Sequence, residues 1–392
     1  MPAKRRAVLP HLTEASLPGV GIFPVPVAKR NGGTAEMKMG LRWFGEGYDT
    51  VSLEKIRQVP GVRGVITTLY GAMPGENWDK DQVLALQRSV EDAGLEVLGI
   101  ESVNVHDAIK AGLPGRDQYI ENYIQTIRTL GECGIHLICY KFMPVFDWTR
   151  TQLAKPRRDG STVLAYDQRE IDKMDPEKLF ASMEAGSQGH LLPGWEPERL
   201  AHIQELFQVY KSVDEEALWA NLKYFLDAIL PICEKYEVKM AIHPDDPGWS
   251  VFGLPRIITS GEALRRMVDM SPSPCNGVTL CTGSLGTNPN ADLPGIIHML
   301  EGSIFFAHVR NMEHTAPGQF EESAHLSSDG SFDMFAIVKA LYEIGFDGVI
   351  RPDHGRMIWG EQAMPGYGLY DRALGSQYLL GLWEALEKTI NR

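Results

Sequence analysis

The sequence predicts an α/β protein, a (β/α)8 TIM barrel with a long insertion after the fourth strand and an N-terminal arm. Three observations carry this. Eight short β-rich runs alternate with helical segments over most of the 392 residues. Most of the runs are continuously apolar, as strands covered on both faces are. No G-x-G-x-x-G follows an early strand, which argues against a doubly wound open sheet.

The elements follow in order. Residues 1–39 precede the barrel as an arm or disordered leader, because Pro and Gly interrupt residues 1–36 too often for a packed element. Its apolar part, Leu17 to Val27, is a candidate for docking on a neighbouring subunit. The barrel domain is expected over 40–392. Its strands are LRWFG (41–45), GVITTLY (64–70), EVLGIES (96–102) and HLICYKF (136–142), then VKMAIHP (238–244), GVTLCTG (277–283), IFFAHVR (304–310) and GVIRPDH (348–354). Between them, Val83, Leu86, Val90 and Ala93 recur at helical spacing, as do Ile120, Ile124, Ile127 and Leu130, with Gly134 placed as a C-cap. Ser212-Val-Asp-Glu215 reads as a capping box ahead of Leu218, Leu222, Phe225 and Ile229. Residues 143–211 far exceed an ordinary βα connection and are expected to form a lid over the active face.

Composition narrows the function. The net charge of −13 offers no basic footprint for nucleic acid. No run approaches the roughly 20 apolar residues of a membrane helix. The five cysteines are odd in number and form no C-x-x-C pair, so reduced thiols in a cytoplasmic protein are expected. A homo-oligomer is expected by base rate.

Barrel enzymes build their sites at the C-terminal ends of the strands. The fifth strand ends at His243, the sixth at Cys281, the seventh at His308 and the eighth at Asp353-His354. A single strand-end histidine means little. Four neighbouring strands each delivering a metal-ligand residue at one level point to a metal site. Imidazole, thiolate and carboxylate together suit Mn, Fe(II) or Zn rather than Mg or Ca. Arg310 shares a strand face with His308, and Arg351 shares one with Asp353, so each is placed to clamp a substrate carboxylate or to pair with a neighbouring acid. The other strand ends supply Tyr70, Glu101 and Lys141. Asp245 and Asp246, in the corner after His243, are expected to order that loop.

Over residues 40–390 the chain resembles the mannonate dehydratase family of the xylose-isomerase-like barrels. The resemblance is carried by FMPVFDWTRT (142–151), HPDDP (243–247), CTGS (281–284), RPDHG (351–355) and PGYG (365–368), all in family order. It implies Mn2+ or Fe2+ held by His243, Cys281, His308 and Asp353. It also implies His354 and Tyr367 as acid/base partners, His354 favoured as the acid and Tyr367 as the base or proton relay. The implied reaction is loss of water from D-mannonate to give 2-keto-3-deoxy-D-gluconate, in hexuronate catabolism. Another aldonate, or isomerisation or epimerisation of a related sugar acid, is the alternative. Substrate is expected to meet Arg310, Arg351, Lys141 and Tyr70, with Trp148 and Arg150 from the insertion. The sequence departs from the family pattern at Tyr70-Gly71, Asn104 and Lys141, on the side opposite the metal. Lys141 there binds a carboxylate or pairs with Glu101.

Overall fold

The computed structural model describes residues 37–190, 195 and 203–390, so the expectations for residues 1–36 lie outside them. The described strands are, in chain order, β1 (Lys38–Arg42), β2 (Val62–Thr67), β3 (Glu96–Glu101), β4 (Leu137–Tyr140), β5 (Gln152–Pro156) and β6 (Thr162–Asp167), then β7 (Lys239–Ile242), β8 (Asn276–Cys281), β9 (Ile304–His308), β10 (Met312–Ala316), β11 (Gln319–Glu322) and β12 (Val349–Arg351). Eight of them close a parallel barrel in the order β1-β12-β9-β8-β7-β4-β3-β2. Every residue of β4, β8, β9 and β12 is buried, which explains their unbroken apolar character.

The helices form where apolar periodicity and end signals agree. In helix Glu215–Tyr236 the stripe Leu218, Leu222, Phe225 and Ile229 is buried against the barrel. Its cap differs from expectation. Asp214, not Ser212, accepts the Ala217 N–H at 2.8 Å, because the helix starts two residues later than the capping box requires. Helix Arg116–Glu132 stops at Gly134, whose φ of 76° reverses the chain as a C-terminal glycine does.

Two boundaries move. The first strand is Lys38–Arg42 rather than 41–45, so residues 38 and 39, read as the end of the arm, are hydrogen-bonded into the barrel. The insertion 143–211 is more than a loop. It carries β5 and β6, followed by helices Gln168–Ile171, Pro176–Gly186 and Ile203–Tyr210. β6 pairs antiparallel with β11, and β11 with β10, giving a second sheet ordered β10-β11-β6-β5. Two hairpins that leave the barrel after β4 and after β9 thus share one sheet. The stacked rings of Tyr166 and Phe320, 5.1 Å apart, pin their register.

Candidate active site

The parallel register sets the level of the site. Cys281, last in β8, lies opposite His308, last in β9, and His308 lies opposite Arg351, last in β12. His243 follows β7 and stays on the ladder through its N–H to Tyr140 O, at 2.8 Å. One donor atom from each of His243, Cys281 and His308 falls within 4.8 Å of the others, and all three residues are buried. Asp353, at a positive φ of 59°, brings its carboxylate to 3.7 Å from both Cys281 Sγ and His308 Nδ1. Three of the four residues expected to hold a metal, His243, Cys281 and His308, therefore converge. Asp353 stands at their margin, held by Arg351 (2.9 Å) and Arg310 (3.1 Å).

The donors fit a divalent first-row cation on their own chemistry. Burial pushes His243 down to about 3 and lowers His308 as well, so both rings are neutral and carry a lone pair. His243 Nδ1 donates to Pro244 O at 2.7 Å, which leaves the Nε2 lone pair available to a cation. His308 Nε2 is buried without a hydrogen-bond partner. Burial, then the Asp353 carboxylate, pushes the Cys281 thiol up to about 12. The Ser284 hydroxyl donates to its sulfur at 3.1 Å and stands ready to support the thiolate a cation would draw out. A second grouping, Glu101, Cys139 and His308, is less suited, because the Arg351 guanidinium already sits 3.0 Å from Glu101 Oε2.

Beside this cluster lies a buried network of charge. Arg310 contacts Asp246 (2.9 Å), Glu322 (2.8 Å) and Asp353. Its guanidinium lies flat on the chain at Gly283, where a Cβ would come within 1.8 Å of Nε. Arg150 grips Asp246 through two bonds of 2.7 and 3.0 Å and reaches Glu322 at 3.1 Å. Against the upward push of burial, Arg150 and Arg310 hold the Asp246 carboxyl well below the usual range. Asp245 accepts the Ile258 N–H at 3.0 Å, so both acids of the corner order the loop as expected.

His354 connects this network to the reacting face. Its Nδ1 faces Glu322 Oε1 (3.2 Å) and Arg310 Nη1, and its Nε2 hydrogen-bonds with the Tyr367 hydroxyl at 3.0 Å. Burial lowers His354 and raises Tyr367, leaving the ring neutral and the phenol protonated. Glu322, delivered by β11, went unsuspected in the sequence. Nothing local marks it among the acids of its hairpin.

A cavity of about 20 Å3 opens among Lys141, Trp148, His243, Arg351, His354 and Tyr367. Arg310 and Asp353 also line it. Two expectations are corrected by placement, and a third residue is placed elsewhere. Arg150 is fully buried and lines neither this cavity nor the larger one nearby, because two carboxylates hold its guanidinium beneath the surface. Lys141 pairs with Asp147 of the insertion at 3.1 Å rather than with Glu101, which is engaged by Arg351. Tyr70 lies away from the cluster, in the wall of a separate cavity of about 390 Å3 with Gly71 and Asn104.

A closed parallel barrel with two imidazoles and a thiol converging at the C-terminal ends of its strands has the layout of a (β/α)8 barrel enzyme. The chain is similar in fold alone to a D-tagatose 3-epimerase-like protein (TM-score 0.53, 15% identity, covering 90% of this chain and 100% of that one). The sequence profile of D-mannonate dehydratase (UxuA) matches residues 37–392, and the chain belongs to that family. It is 65% identical over 352 residues to the mannonate dehydratase of Brachyspira hyodysenteriae, covering 90% of this chain and 99% of that protein. It is 54% identical over 358 residues to that of Thermotoga petrophila, covering 91% and 99%. The crystal structure of mannonate dehydratase from Streptococcus suis serotype2 superposes with a TM-score of 0.83 at 44% identity, covering 91% and 97%.

Proposed function

We propose that the protein removes water from D-mannonate to give 2-keto-3-deoxy-D-gluconate, with Mn2+ or Fe2+ held by His243, Cys281, His308 and Asp353. The observation that carries this reading is the His354–Tyr367 hydrogen bond of 3.0 Å beside the converging His243, Cys281 and His308 donors. The C2 proton of an aldonate is weakly acidic, because its loss places a second negative charge next to the carboxylate. The bound cation supplies Lewis-acid stabilisation of that charge. Arg351, between Glu101 and Asp353, is the fixed guanidinium next to it.

The proton transfers fall to His354 and Tyr367. With Glu322 accepting the Nδ1 proton of His354, Nε2 carries a lone pair and takes the proton from C2. Tyr367 gives its phenolic proton to the C3 hydroxyl, which leaves as water, and the resulting enol becomes the 2-keto acid. This assignment reverses the roles favoured on sequence. Its support is burial, which holds the imidazole neutral and keeps the phenol protonated. The test is hydrogen exchange at C2 in D2O. Tyr367→Phe should lose water elimination by about 100-fold or more yet still exchange the C2 proton, whereas His354→Asn should lose both. Exchange that survives in His354→Asn and vanishes in Tyr367→Phe would restore the opposite roles. Failure of the Mn2+- or Fe2+-loaded wild type to form a 2-keto-3-deoxy acid from D-mannonate would end the reading.

A further inference from the structure

The cavity of about 390 Å3 over the ends of β1–β3 has no role in the chemistry above. Its wall includes Arg42, Thr68, Tyr70, Ser102, Asn104 and Tyr123. Arg42 is the unusual member. It is only 3% exposed, yet its guanidinium donates a single hydrogen bond, Nη1 to Ile66 O at 3.2 Å. Among the described residues no carboxylate lies within ion-pair distance of it. Arg310, Arg351 and Arg150 are each clamped by two or more acids, and Lys141 by Asp147. A guanidinium offers five N–H donors, and none of Arg42's nitrogens is among the described buried atoms left without a partner, so its unused donors are open to the cavity it lines. The aromatic faces of Phe44 and Tyr70, 4.7 and 6.0 Å from its central carbon, hold it in place without satisfying those donors.

The large cavity and the reaction centre are next to each other. Glu101 lines the small cavity and Ser102, the following residue, lines the large one. The Phe44 ring packs against a wall residue of each, 4.7 Å from the Tyr367 ring of the small cavity and 5.6 Å from the Tyr70 ring of the large one. The space of about 20 Å3 at the donor cluster is water-sized and cannot enclose a six-carbon acid. The rest of the chain needs a contiguous volume with polar donors in an aromatic wall.

We propose that this cavity receives the C4–C6 end of the sugar acid, with Arg42 donating to its terminal oxygens. The inference rests on the dehydratase reading, in which C1–C3 lie at His354, Tyr367 and Arg351. The large cavity is then the part of the enzyme that measures chain length. Arg42 is a substrate-binding residue with no part in proton transfer.

The experiment crosses Arg42→Met with chain length, using metal-loaded enzyme. For the six-carbon D-mannonate, kcat/KM should fall about 10- to 100-fold. For a four-carbon 2,3-dihydroxy acid of the same C2–C3 configuration, tested as a competitive inhibitor, the inhibition constant should change less than about two-fold. Gly71→Phe provides a second variant in case Arg42→Met folds poorly. Gly71 lines the cavity, and a Cβ there meets no atom within 4 Å, so the ring can fill the space without a backbone clash. It should weaken the six-carbon acid and spare the four-carbon one. Equal losses for both chain lengths in either variant, or no loss for D-mannonate in both, would overturn the proposal. An inactive wild type would instead indict the dehydratase reading.

Discussion

Arg150→Met removes a guanidinium that is 0% exposed and leaves two buried carboxylates short of a partner. Breaking a buried pair by deleting one member costs about 3–5 kcal/mol. Here the lower end applies. Arg310 stays 2.9 Å from Asp246 and 2.8 Å from Glu322, so neither acid is stranded, and the Met side chain replaces much of the lost volume. A loss of about 3 kcal/mol corresponds to roughly 4 °C in melting temperature for a domain of this size. Thermal unfolding followed by circular dichroism at pH 7 measures it. The effect also depends on pH. The Asp246 pKa is depressed in the folded protein, so its stabilisation is present above the unfolded value of about 3.9 and is lost as pH falls toward the folded one. The gap between wild type and variant should therefore be complete at pH 6–7 and narrow in acid. If the variant melts with the wild type while its KM for D-mannonate rises ten-fold, Arg150 binds substrate and the network argument fails.

Other outcomes follow from the same geometry. Cys281→Ser should lower the Mn or Fe retained after dialysis by at least about ten-fold, read by elemental analysis, because a hydroxyl replaces the only thiol in the His243, Cys281 and His308 cluster. Chelation of the loaded wild type should lower its melting temperature, since a ligand at 100 times its Kd stabilises by about 2.7 kcal/mol; an unchanged melt would argue against a folded-state cation site. Gly283→Ala places a methyl 1.8 Å from Arg310 Nε, so the arginine must move. Overpacking of this kind costs about 1–3 kcal/mol, and both melting temperature and kcat should fall.

The convergence of the strand-end donors is legible in the sequence because a barrel makes local order spatial. Each strand is a short apolar run, and its last residue lands at a known level, so His243, Cys281 and His308 can be read without any long-range contact. The capping of helix Glu215–Tyr236 is legible only to within two residues, since Ser212 and Asp214 offer the same chemistry and the turn between them decides. The Arg150–Glu322 contact is not legible at all. It joins residues 172 apart through two hairpins, and neither hairpin's alternation says which other one it will meet. The placement of Arg150 as a substrate residue fails for that reason: an arginine beside a tryptophan in an active-face insertion looks the same whether it points to a ligand or to another loop. Arg42 is hidden differently. Its unspent donors are visible only once every carboxylate around it has been located.

The shared sheet β10-β11-β6-β5 carries a consequence for anyone exchanging parts between related barrels. The excursions that build it leave the barrel far apart along the chain, yet among the described strands each pairs with the other on its inner side. Transplanting one alone would sever β6 from β11 and cut Arg150 off from Glu322. The smallest piece that can be swapped intact is therefore discontinuous, and a chimera must take both excursions from the same parent.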